Sequence, residues 1–580
     1  MPTTVPSTER SDVAAAARAA RPDGWWRKAV VYQIYPRSFA DSDGDGIGDL
    51  RGIVGRLDHL HRLGVDVVWL SPVYRSPQDD NGYDISDYQD IDPLFGTLAD
   101  MDELIAGLHA RGMKIMMDLV VNHTSDEHPW FQQSRDALSP RADWYIWRPV
   151  REVFEPGEPG GEPTNWRSAF SGPAWQYDQQ RGEYYLHLFS VKQPDLNWEN
   201  PEVRRAIHDM MRWWVDRGVD GFRMDVINFI SKRYPLADGP TAPGQALSFD
   251  GAAFIDGPRM DEFLQEMHRA VMEGENLITV GEAPGVTVER ASSYSDPAHD
   301  EIGMVFQFEH VGLDEVPGRG KWALKALDLR DLKRNLARWQ DGLEGRGWNS
   351  LYWNNHDQPR IVSRWGDDSP EFRVVSAKTL GTVLHLLKGT PYIYQGEELG
   401  MTNAQFTSIG QYQDIEVRNH YREAMALGAD EADLLRSFAA KSRDNARTPV
   451  QWDDSDNAGF TTGVPWLAVN PNHREINAVR VVADPDSVFH HYRRLIDLRH
   501  TDPVVRDGVF ALLAPDDPQV FAYTRSLGAT TLLVLANMSS IAAAVPAEIA
   551  ETTGEVLLAT HPHALSPTLA PWESRVIRLR

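Results

Sequence analysis

Short apolar runs recur along the first two thirds of the chain, and most of them end in polar residues. They predict eight buried strands, at residues 30–39, 65–72, 114–123, 219–225, 277–282, 303–309, 350–355 and 390–398. Segments with helical spacing, such as 50–64 and 98–111, separate the early strands. Because the runs are continuously apolar, each strand is expected to be covered on both faces. Repeated strand–helix units predict an α/β fold, the (β/α)8 or TIM barrel, whose active site lies at the carboxyl ends of the strands.

Two regions depart from this barrel pattern. Residues 124–196 are rich in Trp, Gly and Pro and too long for one loop, so they predict a small domain inserted after the third strand, over the barrel mouth. After residue 503 the chain changes to short alternating strands, which predict a C-terminal antiparallel β domain at 504–580. Residues 1–24 lack the apolar core of a signal peptide and are interpreted as a disordered leader. Residues 25–123 and 197–503 therefore form the catalytic barrel.

Three carboxyl groups lie where predicted strands end. Side chains two apart on a strand share a face, so Arg223 and Asp225 in GFRMD point the same way. A neighbouring guanidinium lowers the pKa of a carboxyl group, which favours an ionised Asp225. Glu282 follows Val280 and Gly281 with no cation beside it in sequence, and Asp357 belongs to NNHDQPR. One ionised and one protonated carboxyl group on two strand ends is the arrangement that glycoside hydrolysis requires.

Five short motifs extend this interpretation to a family. The stretches GFRMD, TVGE, NNHD and DLVVNHTS resemble motifs of the α-amylase family, glycoside hydrolase family 13. QPDLNW, residues 193–198, is similar to the motif that marks the oligo-1,6-glucosidase and α-glucosidase branch. The resemblance runs from about residue 25 to the C-terminus. It implies that Asp225 is the nucleophile, Glu282 the acid/base, and Asp357 a third catalytic carboxylate that binds sugar hydroxyls.

The resemblance also implies a set of substrate-binding residues. They are Asp80, Tyr83, His123, Phe170, Arg223, His356 and Arg447. Asp80 and Arg447 would together close the pocket beyond the terminal glucose, which implies exo-action on non-reducing ends. A histidine in a strand is more often a core residue, but His123 and His356 each lie within a matched motif.

Val226, the residue after the nucleophile, is the candidate specificity residue. A β-branched side chain is stiff at χ1 and would present a fixed apolar surface to the second sugar. In similar enzymes Val at this position accompanies α-1,6 preference, whereas Ala or Thr accompanies α-1,4 preference. The resemblance therefore implies action on isomaltose, panose and isomaltooligosaccharides. An α-1,4-glucosidase is the alternative.

The segment DSDGDGIGDL, residues 41–50, predicts a cation site. Its acidic side chains recur at nearly alternate positions among glycines, and oxygen ligands spaced in this way suit Ca²⁺. The twelfth position from Asp41 is Gly52 and not Glu, so the loop is not an EF-hand. The resemblance implies a structural Ca²⁺ whose role is stability; Mg²⁺ and a solvated acidic turn are the alternatives. The candidate ligands are Asp41, Asp43, Asp45, Asp49 and the carbonyl group of Ile47.

Composition limits the classes of molecule that the protein is expected to bind. The formal charge of −26 disfavours nucleic acid and anionic membranes as partners but does not affect the binding of neutral sugars. We therefore expect a small oligosaccharide as substrate and no organic cofactor. The chain contains no cysteine, and no apolar run approaches the length of a membrane span. These features favour a cytoplasmic protein, either a monomer or a small homo-oligomer.

Two further functions compete with the glucosidase. A glucosyl-transferring or isomerising relative, such as a sucrose isomerase or trehalose synthase, would carry the same three carboxylates. The segment IVSRWGDD after NNHDQPR lacks the charged pattern expected of sucrose isomerases. A non-catalytic scaffold resembling the heavy subunits of amino-acid transporters would carry a membrane anchor and would have lost catalytic residues. This chain keeps all three carboxylates.

Overall fold

The computed structural model describes residues 18, 20–241, 244–561 and 566–580. Eight parallel strands form one sheet, and each lies within a predicted strand segment. They are β1 (Val31–Ile34), β2 (Val67–Leu70), β3 (Lys114–Val120), β4 (Gly221–Asp225), β5 (Ile278–Glu282), β6 (Met304–Phe306), β7 (Ser350–Leu351) and β8 (Thr390–Tyr394). The strands are shorter than the apolar runs because several runs continue into the loops that carry polar residues.

The sheet closes into a barrel. Its strand order is β6–β5–β4–β3–β2–β1–β8–β7. A parallel bridge between Val305 and Asn349 joins the two edges. A parallel bridge also aligns Val31 of β1 with Val67 of β2. The predicted (β/α)8 fold is confirmed.

Helices follow the strands around the barrel. The helices between β1 and β7 are Leu50–Val54, Leu57–Leu63, Leu98–Ala110, Pro129–Ser134 (in the region inserted after β3), Pro201–Arg217, Met260–Met267, Val288–Tyr294 and Leu329–Leu343. Those after β7 are Ile361–Arg364, Arg373–His385, Ile415–Ala426, Glu431–Lys441, Asp444–Arg447, Ala478–Ala483, Val488–Thr501 and Pro503–Asp507. The predicted helix at 50–64 is two helices, because the chain leaves helical geometry at Arg56, with φ −113° and ψ 5°.

The helix Pro201–Arg217 shows how the sequence sets these boundaries. The Asn200 side chain accepts a hydrogen bond from the Glu202 N–H, and Pro201 occupies the first helical position. Gly218 ends the helix with φ 111°, a conformation that favours glycine. The apolar face of this helix carries the buried Ile207 and Trp214 and packs in the main core.

Alternate residues of the strands enter two different apolar clusters. Val31 and Val67 belong to the cluster inside the barrel, whereas Tyr32 and Val68 belong to the core shared with the helices. The same alternation sends Phe222 and Met224 of β4 to the outer core. Arg223 and Asp225 consequently face the barrel interior, as the sequence predicts.

Smaller sheets lie outside the barrel. The region inserted after β3 contains an antiparallel sheet of Trp147–Arg148, Glu183–Leu186 and Trp175–Asp178. The C-terminal sheet is antiparallel and begins at residue 509; its strands are β9 (Val509–Leu513), β10 (Val520–Leu527), β11 (Thr530–Asn537), β12 (Gly554–Ala559) and β13 (Ser574–Leu579). Two short pairs join Tyr74–Arg75 to Asp87–Ile91 and Ala543–Ala544 to Thr568–Leu569.

The N-terminal segment departs from its prediction as a disordered leader. Arg18 is 2% exposed and donates hydrogen bonds to Glu275 and to the Val215 carbonyl group. Arg21 forms an ion pair with Asp220, the residue before β4. The leader prediction is therefore wrong from residue 20 onward and at Arg18, whereas residues 1–17 and 19 lie outside the described residues. No helix of the described chain has the length and apolarity to cross a bilayer.

Candidate active site

A cavity of about 370 Å³ lies at the carboxyl ends of the barrel strands. Asp225 and Glu282 are the last residues of β4 and β5, and Asp357 lies on the loop after β7. Nine of the predicted site residues line the cavity: Asp80, Tyr83, His123, Phe170, Asp225, Val226, Glu282, His356 and Asp357. Distant parts of the sequence thus meet where the fold predicts catalysis.

The buried Arg223 joins the carboxyl groups of Asp225 and Glu282. Its Nη1 lies 2.6 Å from Asp225 Oδ1, and its Nη2 lies 2.6 Å from Glu282 Oε2. Glu282 has no cation beside it in sequence, but its strand β5 is the neighbour of β4, and this brings Arg223 to its carboxyl group. Nη1 also lies 2.9 Å from Asp118 Oδ1, a buried carboxylate on β3 that the sequence analysis did not single out. One cation therefore holds three carboxyl groups in place.

The carboxyl groups of Asp225 and Glu282 differ in pKa. Burial raises the pKa of Asp225 to about 6, against the opposing effect of Arg223. Burial raises the pKa of Glu282 to about 8, and the charges of Asp225 and Asp357 add to the effect while Arg223 opposes it. At neutral pH Asp225 is mostly ionised and Glu282 mostly protonated. This is the assignment that a nucleophile and a general acid need.

Asp357 is held ionised by cationic and imidazole neighbours. Its Oδ1 lies 2.8 Å from Arg447 Nη2 and 3.3 Å from Arg443 Nη1, and its Oδ2 lies 3.2 Å from His356 Nε2. Burial would raise the pKa of Asp357, but His356, Arg443 and Arg447 together hold it well below its ordinary value. His356 is neutral, because burial lowers its pKa to about 3. Its Nδ1 accepts a hydrogen bond from Gln33, which leaves Nε2–H to face Asp357.

The structure corrects the pairing proposed for Asp80. Arg443 Nη2, and not Arg447, lies 3.3 Å from Asp80 Oδ1. Arg447 lies one helical turn further along, is 1% exposed, and binds the His356 carbonyl group besides Asp357. Burial raises the pKa of Asp80 to about 7, an effect that Arg443 opposes. Arg443 occurs in the same SRDNAR segment, but only the tertiary structure shows which arginine reaches Asp80.

A buried ammonium group, that of Lys232, is connected to His123 through Asn122, and no local pattern in the sequence signals this connection. Lys232 Nζ lies 2.7 Å from Asp195 Oδ2 and 2.8 Å from Asn122 Oδ1. The Asn122 amide in turn lies 3.2 Å from His123 Nδ1, and His123 Nε2 lies 3.2 Å from the Tyr83 carbonyl oxygen. Burial lowers the pKa of His123 to about 4, so the ring is neutral. Asp195 belongs to QPDLNW, a motif that marked the branch without revealing this contact.

Aromatic side chains shape the cavity. Tyr83 stacks on His356 at a centroid distance of 5.1 Å and donates a hydrogen bond to Asp118. The half-buried Phe170 ring lies 5.2 Å from the Arg443 guanidinium carbon. Val226 has φ 35° and ψ 43°, which β-branched residues rarely adopt, and its N–H lies 3.1 Å from Glu282 Oε2. The strand ends at Asp225, so the chain turns and brings Val226 to the cavity wall.

The acidic loop after β1 brings three of its predicted carboxylates together. Ligand oxygens of Asp41, Asp43 and Asp49 lie within 4.8 Å of one another. Asp45 lies outside this group, and its Oδ1 accepts the Ile47 N–H at 2.7 Å. Three clustered carboxylates form a donor set that suits Ca²⁺. Gly46 has φ 93°, and a Cβ there would lie 1.8 Å from the Val464 carbonyl oxygen, so this turn requires glycine.

Comparisons with known proteins show the family of the chain. Residues 33–508 match the family model described as α-amylase, catalytic domain. An oligo-1,6-glucosidase of Parageobacillus thermoglucosidasius is 55% identical over 565 residues, which are 96% of this chain and 99% of that protein.

Two solved structures share the whole architecture. The trehalose-6-phosphate hydrolase of Bacillus licheniformis is 46% identical with a TM-score of 0.90, covering 96% of this chain and 99% of that one. The isomaltulose synthase of Klebsiella sp. LX3 is 41% identical with a TM-score of 0.91, covering 97% of this chain and 100% of that one. The chain belongs to the α-amylase family of glycoside hydrolases, in the branch of the oligo-1,6-glucosidases and α-glucosidases.

Proposed function

We propose that this chain is a retaining, exo-acting α-glucosidase that releases glucose from the non-reducing ends of short α-glucosides and prefers α-1,6 links. The single observation that carries the proposal is the pair Asp225 and Glu282, held by one guanidinium at the cavity floor. Retaining hydrolysis needs a nucleophile and an acid about 5–5.5 Å apart, and a shared arginine favours such closeness.

The reaction has two steps. Asp225 attacks the anomeric carbon while the protonated Glu282 gives its proton to the glycosidic oxygen, so the bond to the leaving sugar breaks and a glycosyl-enzyme ester forms. Glu282, now ionised, takes a proton from water, whose oxygen attacks the same carbon and releases Asp225. The ionised Asp357 accepts hydrogen bonds from sugar hydroxyl groups. The product glucose keeps the α configuration.

The ion pair between Asp80 and Arg443 supports exo-action. Both side chains line the cavity, and Arg443 also binds the buried Asp414. Paired charges fixed in this way form a wall instead of an open groove, so the non-reducing glucose is the last unit that the cavity accepts.

The charge of the cavity favours neutral substrates. Five carboxyl groups line it, those of Asp80, Asp225, Glu282, Asp357 and Glu416. Among the described lining residues the cations are Arg443 and Lys321, and both are paired with carboxylates. A sugar phosphate would meet repulsion without a free cation. We therefore expect little action on trehalose 6-phosphate.

A product assay tests the proposal. The protein is incubated with isomaltose, panose, maltose, sucrose, trehalose and trehalose 6-phosphate, and the products are separated by anion-exchange chromatography. We expect glucose from isomaltose and panose with the largest kcat/KM. Isomaltulose or trehalulose from sucrose would favour an isomerase instead, and faster release from maltose would favour an α-1,4-glucosidase.

Val226→Ala tests the linkage preference. Removal of the stiff branched side chain should lower the ratio of kcat/KM for isomaltose to that for maltose by about 10-fold, since one small apolar difference is worth about 1–3 kcal/mol. The matched control is Val479→Ala, at an exposed helical position. An unchanged ratio in Val226→Ala would remove this residue as the determinant.

We also propose a structural Ca²⁺ at Asp41, Asp43 and Asp49, with Asp45 and the Ile47 carbonyl group as further candidate ligands. The loop precedes the helix Leu50–Val54, and none of the candidate ligands lines the catalytic cavity, so the ion would supply stability. The clustering of three carboxylates supports this proposal. Mg²⁺ usually keeps more of its own water than such a set of protein ligands allows.

Removal of the ion should lower the melting temperature. A chelator should lower it by about 2–5 °C, because a ligand bound only to the folded state is lost. Asp43→Asn should reproduce the loss and remove the response to chelator, whereas Asp456→Asn, at a fully exposed side chain, should do neither. Elemental analysis identifies the ion. Its absence from the purified protein, together with no shift, would contradict the proposal.

Two properties accompany the proposed activity. We propose that the enzyme transfers glucose to a second sugar at high substrate concentration, because the space that releases the leaving sugar can receive an acceptor. An acidic chain without cysteine supports a cytoplasmic location.

A further inference from the structure

Phe249 is half exposed, although it lines the catalytic cavity. Its side chain is 52% exposed, whereas Phe229, on the same cavity wall, is 4% exposed. Exposure thus rises along this wall, so Phe249 lies toward the cavity opening. A large apolar ring at the opening of a sugar-cleaving cavity can cover the apolar face of a sugar.

The Phe249 ring and the backbone of the preceding residue are both held in place. The Ser248 N–H donates to the Asn165 carbonyl group at 2.8 Å, and the Ser248 carbonyl group accepts the Arg167 N–H at 2.8 Å. The Phe249 ring meets the fully buried Phe254 edge to face, at a centroid distance of 5.4 Å. A ring fixed in this way contacts a ligand at little cost in conformational entropy.

Phe249 lies on the Val226 side of the cavity. Phe254, on which it packs, belongs to the same buried cluster as Val226 and Phe229. Val226 follows the nucleophile, and its N–H lies 3.1 Å from Glu282, the proton donor to the leaving sugar. Because the Asp80–Arg443 pair is proposed to close the cavity beyond the terminal glucose, we expect the leaving sugar on the side that carries Val226 and Glu282.

We propose that Phe249 is a specificity-determining platform for the leaving-group sugar, the unit next to the scissile bond on its reducing side. The inference rests on the proposed α-glucosidase function. The ring covers C–H groups of that sugar and orients its glycosidic oxygen toward Glu282. It adds nothing to the binding of the glucose whose bond is broken.

Two substrates separate this role from general damage. Isomaltose has a sugar leaving group, whereas α-glucosyl fluoride presents the same glucose with a leaving group too small to reach Phe249. Phe249→Ala should lower kcat/KM for isomaltose by about 5- to 20-fold. It should change kcat/KM for α-glucosyl fluoride by less than about twofold, and Phe249→Tyr, which keeps the ring, should stay close to wild type on both.

The two substrates distinguish a role in binding the leaving sugar from a structural role of Phe249. Equal losses on the two substrates would indicate a structural role and overturn the proposal, as would unchanged hydrolysis of isomaltose by Phe249→Ala. Leu138→Ala, at a side chain 93% exposed in the inserted region, is the control for removal of an exposed apolar group. If the wild type cleaves α-glucosyl fluoride but no disaccharide, the proposed function fails and not the Phe249 assignment alone.

Discussion

Asp225→Asn is expected to lower kcat on isomaltose by at least about 10⁴-fold, because an amide cannot form the glycosyl-enzyme ester. The variant should remain folded, since Arg223 keeps its contacts with Asp118 and Glu282. An unchanged melting temperature checks this point. Turnover within about tenfold of wild type would exclude Asp225 as the nucleophile.

Glu282→Gln separates the acid from the nucleophile. The variant should lower kcat/KM on isomaltose by a similar factor. It should keep much of the wild-type rate of the first step when the leaving group needs no proton, as with fluoride.

The pH profile should report both carboxyl groups. For the wild type, kcat/KM on isomaltose should fall below pH about 6, where Asp225 is protonated, and above pH about 8, where Glu282 is ionised. The fall above pH about 8 should be absent from Glu282→Gln with α-glucosyl fluoride. Its persistence there would assign that titration to another group.

Lys232→Met should cost about 3–5 kcal/mol in the free energy of unfolding. Lys232 and Asp195 are both buried, and loss of the ammonium group leaves the Asp195 carboxylate unpaired in the interior. The loss also removes one of the two contacts that hold the Asn122 side chain beside His123, so kcat/KM on isomaltose should fall about tenfold. Urea denaturation and steady-state kinetics measure the two effects.

A double variant and an exposed lysine provide the controls. Lys232→Met combined with Asp195→Asn should recover part of the stability, because no unpaired charge is left buried. Lys325→Met, at a side chain 41% exposed, should change stability by less than about 0.5 kcal/mol. Additive costs in the double variant would show that the two groups do not interact.

The barrel could be predicted from the sequence because its signals are local. Each strand is a continuous apolar run, and burial on both faces is the reason for that pattern. The carboxyl ends of parallel strands meet at one face of a barrel, so Asp225 and Glu282 were expected to lie together. No local pattern in the sequence predicts the exposed fraction of Phe249, because that fraction depends on the residues against which the loop that carries Phe249 packs.

Contacts between distant segments were decided only by the tertiary structure. The sequence placed Arg223 beside Asp225, two residues away, but the neighbouring strand brings Glu282 to the same guanidinium. It identified SRDNAR without revealing that Arg443 is the residue that reaches Asp80, because the turn geometry of that segment sets the direction of each side chain. The sequence by itself determined which residue types stand at the strand ends and hence the family and its chemistry. The packing of loops from different repeats decided which charges pair, because ion pairs depend on distances in space that no local pattern encodes.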